Sequence, residues 1–173
     1  MKKPAALTSV VWVLALATVA LDQLTKQWAL TSLTPNQRIP ILGNALGFEL
    51  IFNPGAAFSF GEGATVVFTV VAGAVVLGIP FVARKVASRA WAVWLGIVWG
   101  GAAGNLVDRI FRSPGAGRGH VVDFIAYFDW FIGNVADIAL VVGIAAIGIL
   151  VFRGVEFGPA AGDGGAPKED NNG

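Results

Sequence analysis

Two carboxylates stand in surroundings that disfavour charge. Asp123 lies within the apolar run Val121-Val122-Asp123-Phe124-Ile125, and no charged residue follows Asp137 until Arg153. A carboxylate in such a setting needs a partner or a shifted pKa. If the two meet, repulsion and burial raise one pKa and leave the other group ionised, so the pair holds one proton. The ionised member can take a proton from water, and the protonated member can donate to a carbonyl. That is peptide hydrolysis of the aspartic type. The composition closes most other hydrolytic routes. There is no Cys and a single His, His120, which reads as a loop residue. A thiol nucleophile and a metal site built from Cys or clustered His are excluded. Ser9, Ser32, Ser59, Ser88 and Ser113 all lack a Gly-x-Ser-x-Gly setting, so a serine hydrolase is disfavoured.

Further polar residues gather at the same level of the chain. Asp22 and Lys26 are spaced i, i+4 and share one helix face. Asn105, Asp108 and Arg109 end one apolar run, and Asn134 comes shortly before Asp137. Ionisable groups inside membrane spans are costly and are functional candidates by default. Plainer roles remain open. Asp22 with Lys26 can be a helix-stabilising pair, Asp108 beside Arg109 a helix-end anchor, and Asp129 a solvated residue or N-cap.

The elements that must carry these groups are membrane helices. Of 173 residues, 55% are hydrophobic and 13% charged, with mean hydropathy +0.71. That is too little charge for the shell of a soluble domain. A net charge of +1 gives no footprint for nucleic acid, and no such partner is expected. Four windows are long and apolar enough to span a bilayer, about 7–30, 63–83, 90–107 and 130–152. The first carries Lys2 and Lys3 ahead of an apolar run, as a signal peptide would, but an uncleaved first helix is the simpler reading. Asp137 then lies one to two turns into the fourth span. The segment 108–129 connects spans three and four.

Ile39–Leu42 and Phe48–Phe52 flank Gly43-Asn44-Ala45-Leu46-Gly47, which predicts a hairpin in a small sheet at the membrane surface. Gly96, Gly100 and Gly104 predict close helix packing inside a four-helix bundle. Residues 1–157 form one membrane domain, and the Gly/Ala/Pro-rich tail 158–173 is expected to be disordered and cytoplasmic. Arg84, Lys85 and Arg89 in a short loop orient the chain with both termini in the cytoplasm. The polar cluster then faces the outer leaflet.

Five motifs follow one another on this layout: Leu21-Asp22-Gln23-Leu24-Thr25-Lys26, Asn53-Pro54-Gly55-Ala56-Ala57-Phe58, Gly104-Asn105-Leu106-Val107-Asp108-Arg109, Val121-Val122-Asp123-Phe124 and Asn134-Val135-Ala136-Asp137. Together the chain resembles the lipoprotein signal peptidase (signal peptidase II) family. The resemblance implies an inner-membrane aspartyl endopeptidase of bacteria, a four-helix bundle with an extracytoplasmic β-cradle. Its substrates would be signal peptides of diacylglyceryl-modified prolipoproteins, cut just before the lipidated Cys, with membrane lipids around it and globomycin-type peptides as inhibitors. It implies Asp123 and Asp137 as the catalytic pair. Asn53, Asn105, Arg109 and Asn134 would line the substrate site and Asp22 and Lys26 support it, with Gly55, Gly104, Asp108 and Ala136 in the same motifs. No metal or other cofactor is implied, and a monomer is expected. The chain departs from the family at Gly133, where Phe is frequent, at Ile138, and in the Gly-rich loop 113–119. The competing readings are a small ion-coupled transporter or channel and a structural scaffold. A transporter would carry polar residues through the membrane depth or an inverted repeat, and neither is seen.

Overall fold

The computed structural model describes residues 4–55 and 62–158. All but the first residue of the tail 158–173 lies outside this range. Chain order is α1 (Pro4–Ser32), β1 (Ile39–Leu42), β2 (Leu46–Asn53), α2 (Glu62–Ala83), α3 (Arg89–Phe111), β3 (Val121–Tyr127), β4 (Phe131–Gly133) and α4 (Val135–Phe152). All four helices are long and apolar enough to cross a membrane. Their outward faces are apolar, with Leu16, Leu24, Val70, Leu77 and Val141 exposed, as a bundle facing lipid requires.

Helix α3 is the hub, with α1, α2 and α4 all packed on it. Its glycines explain why. A β-carbon on Gly96 would lie 2.7 Å from the carbonyl oxygen of Val11, and one on Gly100 2.7 Å from that of Ala15. On the other side, a β-carbon on Gly101 would lie 2.7 Å from the carbonyl oxygen of Ala136. The small-residue face therefore serves packing within the chain, where backbones come too close for any side chain. The α1–α3 seam is apolar, built on Leu7, Val11, Ala15, Leu95 and Trp99. At the end of the bundle beyond α4, Trp91 donates its indole N–H to the carbonyl of Val155 at 2.8 Å and its ring meets Phe157 edge-on.

At the opposite end the four strands form one antiparallel sheet in the order β1-β2-β3-β4. The expected hairpin is present, turning at Gly43, whose φ of 53° suits a residue without a β-carbon. Strands β3 and β4 lie in what the hydropathy windows divide between a connection and the start of a span. Val121–Tyr127 is almost wholly buried, and it pairs with β2 on one side and β4 on the other. The fourth span accordingly begins at Val135 and not at Trp130. Phe131–Gly133 pairs with Ile125–Tyr127, and Asn134 caps the helix. The third span runs to Phe111, past the apolar window that ends at Val107.

The glycine seam gives a direct expectation. Gly100→Val drives a side chain into the backbone of α1, a cost of about 1–3 kcal/mol or more for overpacking. Gly73→Ala on α2, with open space around it and a better helix former in place of Gly, is expected not to lower stability. Thermal unfolding in detergent should show a lowered Tm for the first variant alone. Equal Tm values would contradict the packing.

Candidate active site

Asp123 sits on central strand β3 opposite Ile51, so Asn53, two residues along β2, is its diagonal neighbour on the same face. The Asn53 amide donates to Oδ2 of Asp123 at 2.8 Å, and Asn53 Oδ1 accepts from the backbone N–H of Gly55 at 2.8 Å. Gly55 has φ +102°, a conformation that favours glycine. The other oxygen of Asp123 accepts from Nδ2 of Asn134 at 2.6 Å.

Asp137 is the third residue of α4. It lies at the helix mouth, not one to two turns inside. The sequence there makes a reciprocal cap. Asn134 Oδ1 accepts from the backbone N–H of Asp137, and Asp137 Oδ2 accepts from the backbone N–H of Asn134, both at 3.0 Å. Asp137 Oδ1 accepts from Nδ2 of Asn105 at 2.8 Å. Asp137 thus has the hydrogen-bond partners that its apolar surroundings demand. Asn134 is the shared residue, bonded to one carboxylate by its side chain and to the other through the cap.

Burial pushes the Asp123 carboxyl up, the charge of Asp137 pushes it further, and the amides of Asn53 and Asn134 pull it back, leaving it at about 6. The pair therefore takes up a proton at Asp123 as pH falls through about 6.

Behind it lies a buried ionic cluster. Lys26 Nζ lies 2.8 Å from Asp22 Oδ2 and 2.8 Å from Asp108 Oδ2, and donates to Asn105 Oδ1 at 3.0 Å. The side chains of Lys26, Asp22 and Asp108 are completely buried. Three acceptors meet the three ammonium protons. Asp22 uses its other oxygen to accept from the backbone N–H of Ala136 at 3.0 Å, fixing the first turn of α4. Asp108 accepts from the backbone N–H of Val122 at 3.2 Å, fixing β3 beside Asp123. Gly104 makes room for this, since a β-carbon there would lie 2.5 Å from Asp22 Oδ2. The Asp22–Lys26 helix pair is present, and it also supports the site. Asp108 does not pair with its neighbour Arg109. It pairs with Lys26 and, at 2.6 Å, with Arg112.

Arg109 is buried, donates to the carbonyl of Gly119 at 3.4 Å and lies 5.8 Å over the Phe68 ring. With Asn53, Asn105 and Asp137 it forms the polar end of a groove of about 420 Å³. The groove runs over α3 between α2 and α4, and Val71, Val75, Val98, Leu140 and Ile144 line its apolar remainder.

Three neighbours escape sequence reasoning. Gln23 donates to Asp108 Oδ1 at 3.2 Å and to the carbonyl of Gly104 at 3.1 Å. Arg112 is i+4 from Asp108, a signal hidden by ending the helix at Val107. Phe131 lines the groove with no signal in its spacing. His120 lies in a loop and is half-buried. Asp129, in the β3–β4 turn, pairs at 2.9 Å with Arg38, on the approach to β1.

Comparison with known proteins bears on this geometry. The family model described as signal peptidase (SPase) II matches residues 14–153. A lipoprotein signal peptidase of Mycobacterium avium is 46% identical over 143 residues, 83% of this chain and 79% of that protein. One of Streptomyces coelicolor is 47% identical over 148 residues, 86% of this chain and 72% of its own. A solved bacterial membrane enzyme, at 1.9 Å resolution, superposes with a TM-score of 0.72 and 25% identity, covering 84% of this chain and 94% of that one.

The ionic cluster makes its own demand. Lys26→Met removes the cation between two buried carboxylates and should cost about 3–5 kcal/mol, as breaking a buried pair does. Thermal unfolding in detergent measures this, and an unchanged Tm would show that the cluster holds nothing together.

Proposed function

The chain belongs to the signal peptidase II family, and from that premise we propose that it is an aspartyl endopeptidase of the bacterial inner membrane. Its substrate is a prolipoprotein whose lipobox Cys already carries diacylglycerol, and it removes the signal peptide by cutting just before that Cys. The transporter alternative finds no support in the family match.

One observation carries the reading. Two carboxylates share the ligand Asn134, and one of them opens into the polar end of a groove whose remainder is apolar. In the proposed reaction the ionised member of the Asp123–Asp137 pair takes a proton from a water between them. The resulting hydroxide attacks the scissile carbonyl, and the protonated member donates to its oxygen. Collapse of the tetrahedral intermediate passes a proton to the leaving amine of the Cys. The fixed amides of Asn53, Asn105 and Asn134 hold both carboxylates in place, so little reorganisation is needed at the moment of reaction. Arg109 lines the substrate site, and the apolar part of the groove receives the signal peptide from the bilayer.

Both termini are assigned to the cytoplasm and the site to the outer leaflet. Arg84, Lys85, Arg89 and Arg153 at the end away from the sheet support this. The intramolecular use of the glycine face supports a monomer. Globomycin-type peptides are assigned to the same groove.

Cleavage of a diacylglyceryl-modified prolipoprotein in liposomes tests the proposal. Asp123→Asn and Asp137→Asn should each lower turnover by at least about 10²–10⁴-fold, the share of general acid–base catalysis. Substantial activity in either folded variant would remove the pair from the mechanism. The pH dependence has a sign. The raised Asp123 pKa means that the one-proton state is present below about 6 and is lost as pH rises through that value. kcat/KM should therefore fall on the alkaline side with an apparent midpoint near 6. A rate still rising through pH 8 would contradict it.

A further inference from the structure

Gly133 is a buried position whose missing side chain is occupied by another residue. A β-carbon built there would lie 2.6 Å from Cε1 and 2.8 Å from Cζ of Phe131, and 3.0 Å from Oδ2 of Asp137. The ring edge of Phe131 and the Asp137 carboxylate are thus neighbours across the space of one absent methyl group. The ring is also held by its cross-strand neighbour. Phe131 is paired in register with Tyr127, and their rings stack at 6.1 Å with 20° between planes. Phe131 keeps 49% of its surface exposed, and that surface forms part of the groove wall that also contains Asp137, Leu140 and Ile144.

We propose that Phe131, seated against the bare Cα of Gly133, is a specificity-determining residue that limits the size of the side chain immediately before the scissile bond. The inference rests on the peptidase reading above. The physical reason is position. Asp137 is one of the two groups that bracket the scissile bond, so a ring beside it flanks the adjoining residue. The same wall continues into Leu140 and Ile144, the apolar part that takes the signal peptide, so the residue it meets is on the signal-peptide side. A rigid aromatic wall rejects bulk there, because an incoming side chain must displace either the ring or the carboxylate. Differences of a few methylenes in such a pocket shift kcat/KM by about 10–200-fold.

The test uses the full chain in liposomes and lipidated prolipoprotein substrates that differ only in the residue before the Cys, Gly against Leu. The readout is the ratio of kcat/KM for the Leu substrate to that for the Gly substrate. Phe131→Ala should raise this ratio by about tenfold or more. Should Phe131→Ala fail to fold by thermal unfolding, Phe131→Leu keeps an apolar side chain and should raise the ratio by about threefold. A folded variant with the wild-type ratio overturns the inference while leaving the peptidase reading intact. A wild-type protein that cleaves neither substrate overturns both.

Discussion

A single buried ammonium group holds this structure together. Lys26 lies in contact with Asp22 and Asp108, with all three side chains withdrawn from solvent. Isolated charges in such a place are prohibitively costly, so the helices that carry them must meet in one arrangement only. α1 and α3 are fixed directly. Through Asp22 the N-terminus of α4 is fixed as well, and through Asp108 the start of β3. Those are the two elements that carry Asp137 and Asp123. The cluster therefore sets the placement of both carboxylates without touching either.

The glycines of α3 meet the same constraint from the steric side. Close approach of α1 at Gly96 and Gly100 brings Asp22 and Lys26 within reach of Asp108, and close approach of α4 at Gly101 brings Asn134 within reach of Asn105. Apolar packing and polar satisfaction are thus one geometry. The Asn residues complete it. Each carboxylate of the pair has both oxygens bonded, and one amide side chain, that of Asn134, reaches from the cap of α4 to β3. What remains open is the groove above Asp137, bounded by apolar side chains from three helices.

Much of this is legible in the sequence. The i, i+4 spacing of Asp22 and Lys26 and the isolation of Asp123 and Asp137 among apolar residues identify the right groups, because helix period and desolvation act locally. The spans and the hairpin follow from hydropathy and a Gly-Asn turn. The failures have one cause. A hydropathy window cannot tell a buried strand from a membrane helix. Trp130–Gly133 therefore merged with the fourth span, and the cap at Asn134 that sets Asp137 at a helix mouth stayed hidden. The same window ended α3 at Val107, which concealed Arg112 as the i+4 partner of Asp108. The family motifs carry Asp108 and Gly104 as neighbours of the site, but their reason for being there, contact with Lys26 and with Asp22, is tertiary and has no local signature.

The central claim is that Asp123 and Asp137 act on one another as a pair. Carboxyl carbon NMR of protein with labelled aspartates, titrated in nanodiscs, observes this without substrate. The expected result is an Asp123 midpoint near 6 that moves down toward the ordinary carboxylate range in Asp137→Asn, because the neighbouring charge that raises it is gone. An Asp123 midpoint already in the ordinary range, or one unmoved by Asp137→Asn, would contradict the account.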